Sequence, residues 1–412
     1  MSRPSEATAP GAAAQLERCL ATLRPTRALV DLDAIAANFV YLSERAAGAH
    51  VLCVVKADAY GHGAVPVAAA LAREGARWFG VALVEEGIEL REAGVAGSIL
   101  LLGGCEDAQL ETAVDADLTP TIISRESFDA LCRLAARRGV VLRCHLKVDT
   151  GMTRLGIPWQ ELDDLAARLP DCGLEIEGLY THLATSDDPA VAFTRDQLER
   201  FHACRDALLA QGLPRPMLHV ASSAGLLTRA EADVQLVRPG LALYGLNPFG
   251  NARAPELTPA MTLVSRVIRV ASFPRGTSVG YGCTFIAHRD SRFATIPVGY
   301  EDGLPRALSG DWEVVIRGCL VPLVGRVSMD LVVADVTDLE ETATGDAVIV
   351  AGGGDGSGAH PIEEMARRLR TIPYEVTTGI SSRVPRVFLR DGAPVEVASR
   401  YVHASLPAPE GA

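Results

Sequence analysis

Short, almost unbroken apolar runs recur along the first two thirds of the chain, and each is followed by a stretch with apolar positions every three or four residues. The runs fall at 51–57, 78–83, 98–103, 118–124, 141–149, 174–184, 217–223 and 236–244. Continuous apolar runs of this length predict strands buried on both faces, and the stretches between them, such as 125–138 and 188–211, predict amphipathic helices. Eight buried strands alternating with seven helices predict a closed parallel (β/α)8 barrel. An open doubly wound sheet would alternate in the same way, but the count of eight favours closure.

After about residue 257 the rhythm changes to strand-like segments separated by turns, at 262–273, 293–297, 312–316, 331–336 and 347–351, with one good helix at 361–369. This predicts a mostly β second domain. Residues 247–259, with three prolines, read as the linker, giving a flexible segment 1–25, a barrel domain 26–257 and a β-rich domain 258–412. The glycine-rich stretch 352–358 lies between a strand and a helix, but its spacing fits neither G-x-G-x-x-G nor a Walker loop, and it reads as a surface turn.

Composition narrows the field of partners. The chain has 412 residues, 48% apolar and 22% charged, with a formal net charge of −12, which argues against nucleic acid or an anionic membrane as the main partner. Residues 1–24 lack the pattern of a secretory signal, and no stretch is apolar enough to span a membrane, so a cytoplasmic protein is expected. Nine scattered cysteines without a Cys-x-x-Cys indicate neither a disulfide framework nor a zinc ribbon.

The candidate chemistry starts from the stretch Val55 to Gly63, where a buried strand delivers Lys56 into a glycine-bracketed turn. Desolvation lowers the pKa of such an ammonium and makes it a potential amine nucleophile and proton carrier. Barrel enzymes carry their chemistry at the C-terminal strand ends. There the chain places Lys147 to Arg154 after the fifth strand, Thr181-His182 after the sixth, His219 to Ser223 after the seventh and Arg238-Pro239-Gly240 at the eighth. Singly, each histidine reads as a core residue and Arg238 as a salt-bridged one. Together with Lys56 they describe a cationic, hydroxyl-lined pocket for an anionic ligand.

These segments, together with Gly280-Tyr281-Gly282, Gly299-Tyr300 and Arg326 to Asp330, resemble the motifs of bacterial alanine racemases, in the family's order, from about Ala28 to Phe388. The resemblance implies a pyridoxal-phosphate (PLP) enzyme with a barrel and a β domain, working as a head-to-tail homodimer that interconverts L- and D-alanine and supplies D-alanine for peptidoglycan. It implies that Lys56 holds PLP and serves as one acid/base group. Tyr281 of the other subunit is the second, on the opposite face of the substrate. His182 would stand beside Tyr281 and contact Arg238, and Arg238 would face the pyridine nitrogen. Tyr60, Ser222, Ser223, Gly240, Leu241 and Tyr374 would contact the cofactor, most of them at its phosphate. Arg154 and Met329 would hold the substrate carboxylate, with Lys147, often carbamylated in the family, and Asp330 in support. Asp187, Tyr300, Arg306, Arg326 and Ile372 match positions along the substrate access path.

The chain departs from the common pattern at Ser222, where asparagine is usual, at Phe285, often tyrosine, and at Glu301, often alanine. A non-catalytic PLP-binding barrel would lack the β domain. A decarboxylase of the same architecture needs a strong electron sink, usually a carboxylate where Arg238 stands. A serine or broad-specificity racemase is the remaining alternative.

Overall fold

In the computed structural model, which describes residues 9–188, 192–228, 233–249, 256–353, 356–400 and 403–405, the chain divides into two units. One comprises residues 36–60 and 67–243, the other residues 1–35, 61–66 and 244–412.

The first unit is the barrel. Its strands are β1 (His50–Val54), β2 (Trp78–Val81), β3 (Ser98–Leu101), β4 (Leu118–Thr119 resuming as Thr121–Ile122), β5 (Leu142–Asp149), β6 (Leu174–Tyr180), β7 (Met217–His219) and β8 (Leu236–Val237). Parallel ladders run in the order β8-β1-β2-β3-β4 and β4-β5-β6-β7. Pro120 has no N–H to give and splits β4, yet its carbonyl still accepts from His145 N at 3.0 Å. Bonds from Gln235 N to Leu218 O (3.0 Å) and from Arg238 N to Ala221 O (2.8 Å) join β7 to β8 and complete the circle.

The helices pack as their periodicity predicts. Helix Arg125–Arg138 buries Phe128, Leu131, Leu134 and Ala135, and helix Phe193–Ala210 buries Phe201, Cys204 and Leu208, in one cluster with Leu146, Val148 and Leu179 of the strands. Burying a Phe or Leu of this kind stabilises by about 1.5–3 kcal/mol. Ser124 caps the first of these helices by accepting from Ser127 N at 3.2 Å, and Gly139, at φ 64°, ends it in the left-handed conformation. Residues 189–191, in the segment expected to begin the second, lie outside the described residues.

The second unit is built on an eleven-stranded sheet. Strand Arg27–Asp31 enters this sheet, antiparallel to Met261–Arg266 and parallel to Arg386–Arg390. The domain boundary expected at residue 26 is therefore corrected: a strand with alternate burial takes its place in the β sheet. Of the segment 1–25 read as flexible, residues 1–8 lie outside the described residues, and the reading is corrected for the rest. Residues Ala9–Thr22 form a helix whose Leu16, Cys19, Leu20 and following Leu23 make an apolar stripe against Val387, Val397 and Ala404.

The segment expected as one strand at 262–273 is two, Met261–Arg266 and Arg269–Phe273, and helix Ile362–Leu369 forms where expected. Part of the linker, 250–255, and part of the glycine-rich stretch, 354–355, lie outside the described residues. Trp312 is fully buried and donates to Val350 O at 2.8 Å. Among the described residues no helix is long and apolar enough to cross a membrane.

Candidate active site

The turn after β1 departs from ordinary backbone. Ala57, Asp58, Ala59 and Tyr60 all have φ between 51 and 55° and ψ between 38 and 50°, one turn of left-handed helix made without glycine. Each such residue costs about 1–2 kcal/mol relative to the right-handed form. The conformation is held by Glu86, whose Oε1 accepts from Ala57 N at 2.6 Å while Oε2 accepts from Ala82 N at 2.8 Å and Leu83 N at 3.1 Å. The turn buries Tyr60 against Gly240, where an added Cβ would fall 2.5 Å from Tyr60 Oη. The sequence predicts a glycine-bracketed turn here but not its hand, and Glu86, which accepts from the first residue of the turn, lies 29 positions away.

The loop after β5 is organised by Asp149. Its Oδ1 accepts from Gly151 N at 2.8 Å and Thr153 N at 3.1 Å, and its Oδ2 from Arg154 N at 3.1 Å. Lys147, Asp149, Met152, Arg154, Thr181 and His182 line one small cleft. Burial and then the charges of Arg238, Arg154 and Lys56 push the Lys147 ammonium down to about 8, with Asp149 opposing. The same causes in the same order, burial, Arg238 and Arg154, then Lys147 and Lys56, lower His182 to about 3 and keep it neutral. Lys56 is lowered by burial and by Arg154, with Glu86 opposing.

Arg238 is buried, and burial lowers it to about 10, so it stays charged. It donates to Thr181 O (2.8 Å), Val220 O (3.3 Å) and His219 O, and lies 3.1 Å from His219 Nδ1 and 3.5 Å from His182 Nδ1. Ser223, at the head of the short helix Ser223–Thr228, accepts from Gly240 N at 3.0 Å and Ala242 N at 3.2 Å. With both acceptor positions filled, its O–H is the group left to donate to an anion. Ser222 Oγ lies 3.5 Å from Ser186 Oγ, and Asp187 is exposed. The barrel unit thus gathers Lys56, Tyr60, Lys147, Arg154, His182, Ser222, Ser223, Arg238, Gly240 and Leu241.

The remaining predicted residues belong to the other unit: Tyr281, Tyr300, Arg306, Arg326, Met329, Asp330, Ile372 and Tyr374. Tyr281 is 72% exposed, and Tyr300, Met329 and Ile372 are exposed large side chains of the same unit. Next to Tyr281, a Cβ at Gly282 would make only ordinary van der Waals contact with Arg326, 3.5 Å from its Cζ. Tyr300 N donates to Ser328 O at 3.0 Å and Glu301 N to Met329 O at 3.2 Å. Arg383 joins Asp330 and Asp302 at 2.7 and 2.8 Å.

Two domain models match this chain: "Alanine racemase, N-terminal domain" over residues 30–248 and "Alanine racemase, C-terminal domain" over residues 260–388. The chain belongs to the alanine racemase family. It is 39% identical to alanine racemase 2 of Caldanaerobacter subterraneus subsp. tengcongensis over 91% of this chain and 97% of that protein. It is 43% identical to the alanine racemase of Symbiobacterium thermophilum over 89% of this chain and 97% of the relative. The crystal structure of the alanine racemase from Bartonella henselae with covalently bound pyridoxal phosphate superposes with a TM-score of 0.81 at 32% identity, covering 89% of this chain and all of that one.

Three residues of the barrel escaped sequence reading: Glu86, His145 and Glu177. Glu86 carries no local signal at all. His145 and Glu177 sit inside strands, where a polar residue within an apolar run was the available sign.

Proposed function

We propose that this protein interconverts L- and D-alanine with pyridoxal phosphate as its cofactor, in the cytoplasm, with Lys56 and Tyr281 as the two acid/base groups. The observation that carries the reading is the barrel-end cluster of Lys56, Lys147, Arg154 and Arg238, a set of cations with Asp149 as the carboxylate opposing them at Lys147.

The residues fit the cofactor. The close approach of Tyr60 Oη to Gly240, and the Ser223 hydroxyl fixed by Gly240 and Ala242, form a cradle of neutral donors suited to a phosphate. When bound, the cofactor supplies the electron-withdrawing ring that lets the α-hydrogen of an attached amino acid leave as a proton. Lys56 would hold the cofactor covalently and, once the substrate's amine has displaced it as a free amine whose pKa burial lowers, would take or return that proton at Nζ. Tyr60, Ser223, Gly240, Leu241 and Tyr374 hold the phosphate, with Ser222 close by. Arg238 would face the ring nitrogen and, being charged, would disfavour its protonation, which would limit how far negative charge is withdrawn and suit a reaction that must return the proton.

Arg154, oriented by Lys147 once that amine is carbamylated to an anion, would bind the substrate carboxylate with the backbone of Met329, while Asp330 holds that turn through Arg383. His182, neutral and near Arg238, supports the second base. That second base is Tyr281 of the partner subunit in a homodimer, and Asp187, Tyr300, Arg306, Arg326 and Ile372 line the access path. Racemisation needs a proton carrier on each face of the substrate, and Tyr281 stands exposed on its own unit, available to another copy.

The test is to incubate the holoenzyme with L-alanine, L-serine and L-lysine separately in deuterium oxide. Loss of optical rotation together with α-deuterium incorporation is expected with alanine. Exchange without loss of rotation would overturn the two-base reading, and faster turnover of serine or lysine would overturn the assignment to alanine.

A further inference from the structure

Below Arg238 the barrel interior contains a line of polar groups that the reaction does not use directly. Arg238 Nη1 lies 3.1 Å from His219 Nδ1, His219 Nε2 lies 2.9 Å from His145 Nδ1, and His145 Nε2 lies 3.6 Å from Glu177 Oε2. Both imidazoles are fully buried, and burial pushes both down; at His145 Glu177 opposes it and Arg238 adds to it, and at His219 Arg238 adds to it, so both are neutral at pH 7. Among the described residues, His145 Nε2 and Glu177 Oε2 are buried atoms that make no hydrogen bond, and each faces the other.

The protons on this line have one consistent arrangement. A guanidinium has only N–H donors, so His219 must accept at Nδ1 and carry its hydrogen on Nε2. That hydrogen is donated to His145 Nδ1, which leaves the His145 hydrogen on Nε2, aimed at a carboxylate that can only accept. Reversing the line would set N–H against N–H at Arg238. Among the described residues Arg238 has no ion pair, and Glu177, whose Oε1 also lies 3.7 Å from Arg143 Nη1, is the carboxylate at the far end of its line.

Three features of the fold serve this arrangement. The β5–β6 ladder shifts register between Cys144 and His145, which pair with Ile176 and Gly178, so Glu177 is the extra residue of a bulge, a device that re-aims a side chain. At Gly178 an added Cβ would fall 2.4 Å from His145 Nδ1, so glycine is what leaves room for the ring. Tyr180 stacks on His219 at 4.5 Å between centroids, and its Oη is tied to Leu102 O at 2.8 Å.

We propose that Glu177, acting through His145 and His219, anchors the far end of the hydrogen-bond line whose direction the donor-only Arg238 dictates, and so fixes the orientation of that guanidinium. Glu177, His145 and Gly178 are positioning residues for the cofactor-facing guanidinium. Only the kinetic consequence rests on the racemase reading; the proton arrangement stands apart from it.

The experiment is ¹⁵N spectroscopy of histidine-labelled protein, in the cofactor-loaded and cofactor-free forms, with signals assigned through His145→Gln and His219→Gln. Wild type is expected to show Nε2–H tautomers at both histidines. In Glu177→Gln, and in Gly178→Ala, which alters no titratable group, the His219 nitrogen signals shift. Steady-state kcat falls about tenfold while KM for alanine stays within about twofold. An Nδ1–H tautomer at His219 in wild type, or a Glu177→Gln effect that stops at His145, overturns the proposal whether or not the protein racemises alanine.

Discussion

The two units of this chain hold their candidate residues in opposite ways. In the barrel unit Lys147, Arg238, His145 and His219 are buried, and their charge states are set by desolvation and by one another. In the β unit Tyr281, Met329 and Ile372 stand out from the surface on turns, while buried polar contacts lie beneath them. Asp302, fully buried, takes Arg24 and Arg383 and accepts from Gly299 N at 3.0 Å. The barrel unit is therefore equipped to bind an anionic cofactor and tune it. The β unit carries exposed apolar and phenolic groups, which on the proposed reading face a second copy of the chain.

The largest expected effect removes the barrel's reactive group. Lys56→Ala should lower racemisation by on the order of a thousandfold or more, since it deletes both the cofactor anchor and one proton carrier. Borohydride should fix the cofactor of wild-type protein on the peptide containing Lys56. A label recovered on Lys147 instead would assign the anchor to the wrong cation of the same cluster.

The contrast is sharpest when the two halves are separated genetically. If a site takes Lys56 from one chain and Tyr281 from the other, a heterodimer of Lys56→Ala and Tyr281→Phe chains has one wild-type site and one doubly defective site. With equal mixing and full exchange, half the dimers are mixed, so about a quarter of wild-type activity should return. Near-complete inactivity after verified exchange would put both bases on one chain, and the exposure of Tyr281 would need another explanation.

Much of this was legible in the sequence. Eight apolar runs and the change of rhythm near residue 257 gave both architectures, because burial on two faces leaves a pattern within a few residues. Lys56, Arg154, His182 and Arg238 could be picked out because strand ends are where a barrel tolerates cost. What stayed hidden depends on distant partners. Strand Arg27–Asp31 joins a sheet whose neighbours lie more than 200 residues on, and the left-handed turn 57–60 answers to Glu86. Likewise the significance of His145 required the register shift that places Glu177 beside it and the space at Gly178, which depend on the pairing of two strands rather than on either one alone.

A smaller effect is expected at Lys147. With its pKa near 8, about a tenth of this amine is neutral at pH 7, far more than for an ordinary lysine, and the neutral amine is the form that adds carbon dioxide. The carbamate would give Arg154 an anionic neighbour within the cationic cluster. Protein in ¹³C-bicarbonate should show a carbamate signal that disappears in Lys147→Ala. That variant should lose about tenfold in activity and recover part of it with small carboxylates. No signal at saturating bicarbonate would refute the modification.

The smallest effect distinguishes the units by acid. His145, His182 and His219 of the barrel are all lowered from the ordinary 6.5, so the unfolded chain binds their protons first as pH falls. Stability is lost below pH 6.5, by about 1.4 kcal/mol per pH unit for each histidine that stays neutral in the folded state, until its own folded pKa is reached. In the β unit the shifted carboxylates work lower on the scale. Glu364, held down to about 2 chiefly by Arg367, keeps its contribution above the ordinary 4.5 and loses it only as pH falls from there toward 2, and because its ion pairs lie at the surface, with Arg367 exposed, that contribution is small. Hydrogen exchange of the holoenzyme between pH 7 and 4.5 should therefore show protection falling in strands β5–β7 before it falls in the sheet of strands Met261–Arg266 and Arg386–Arg390. Loss of protection in both at the same pH would mean that the two units unfold together and that the buried histidines do not set the acid limit.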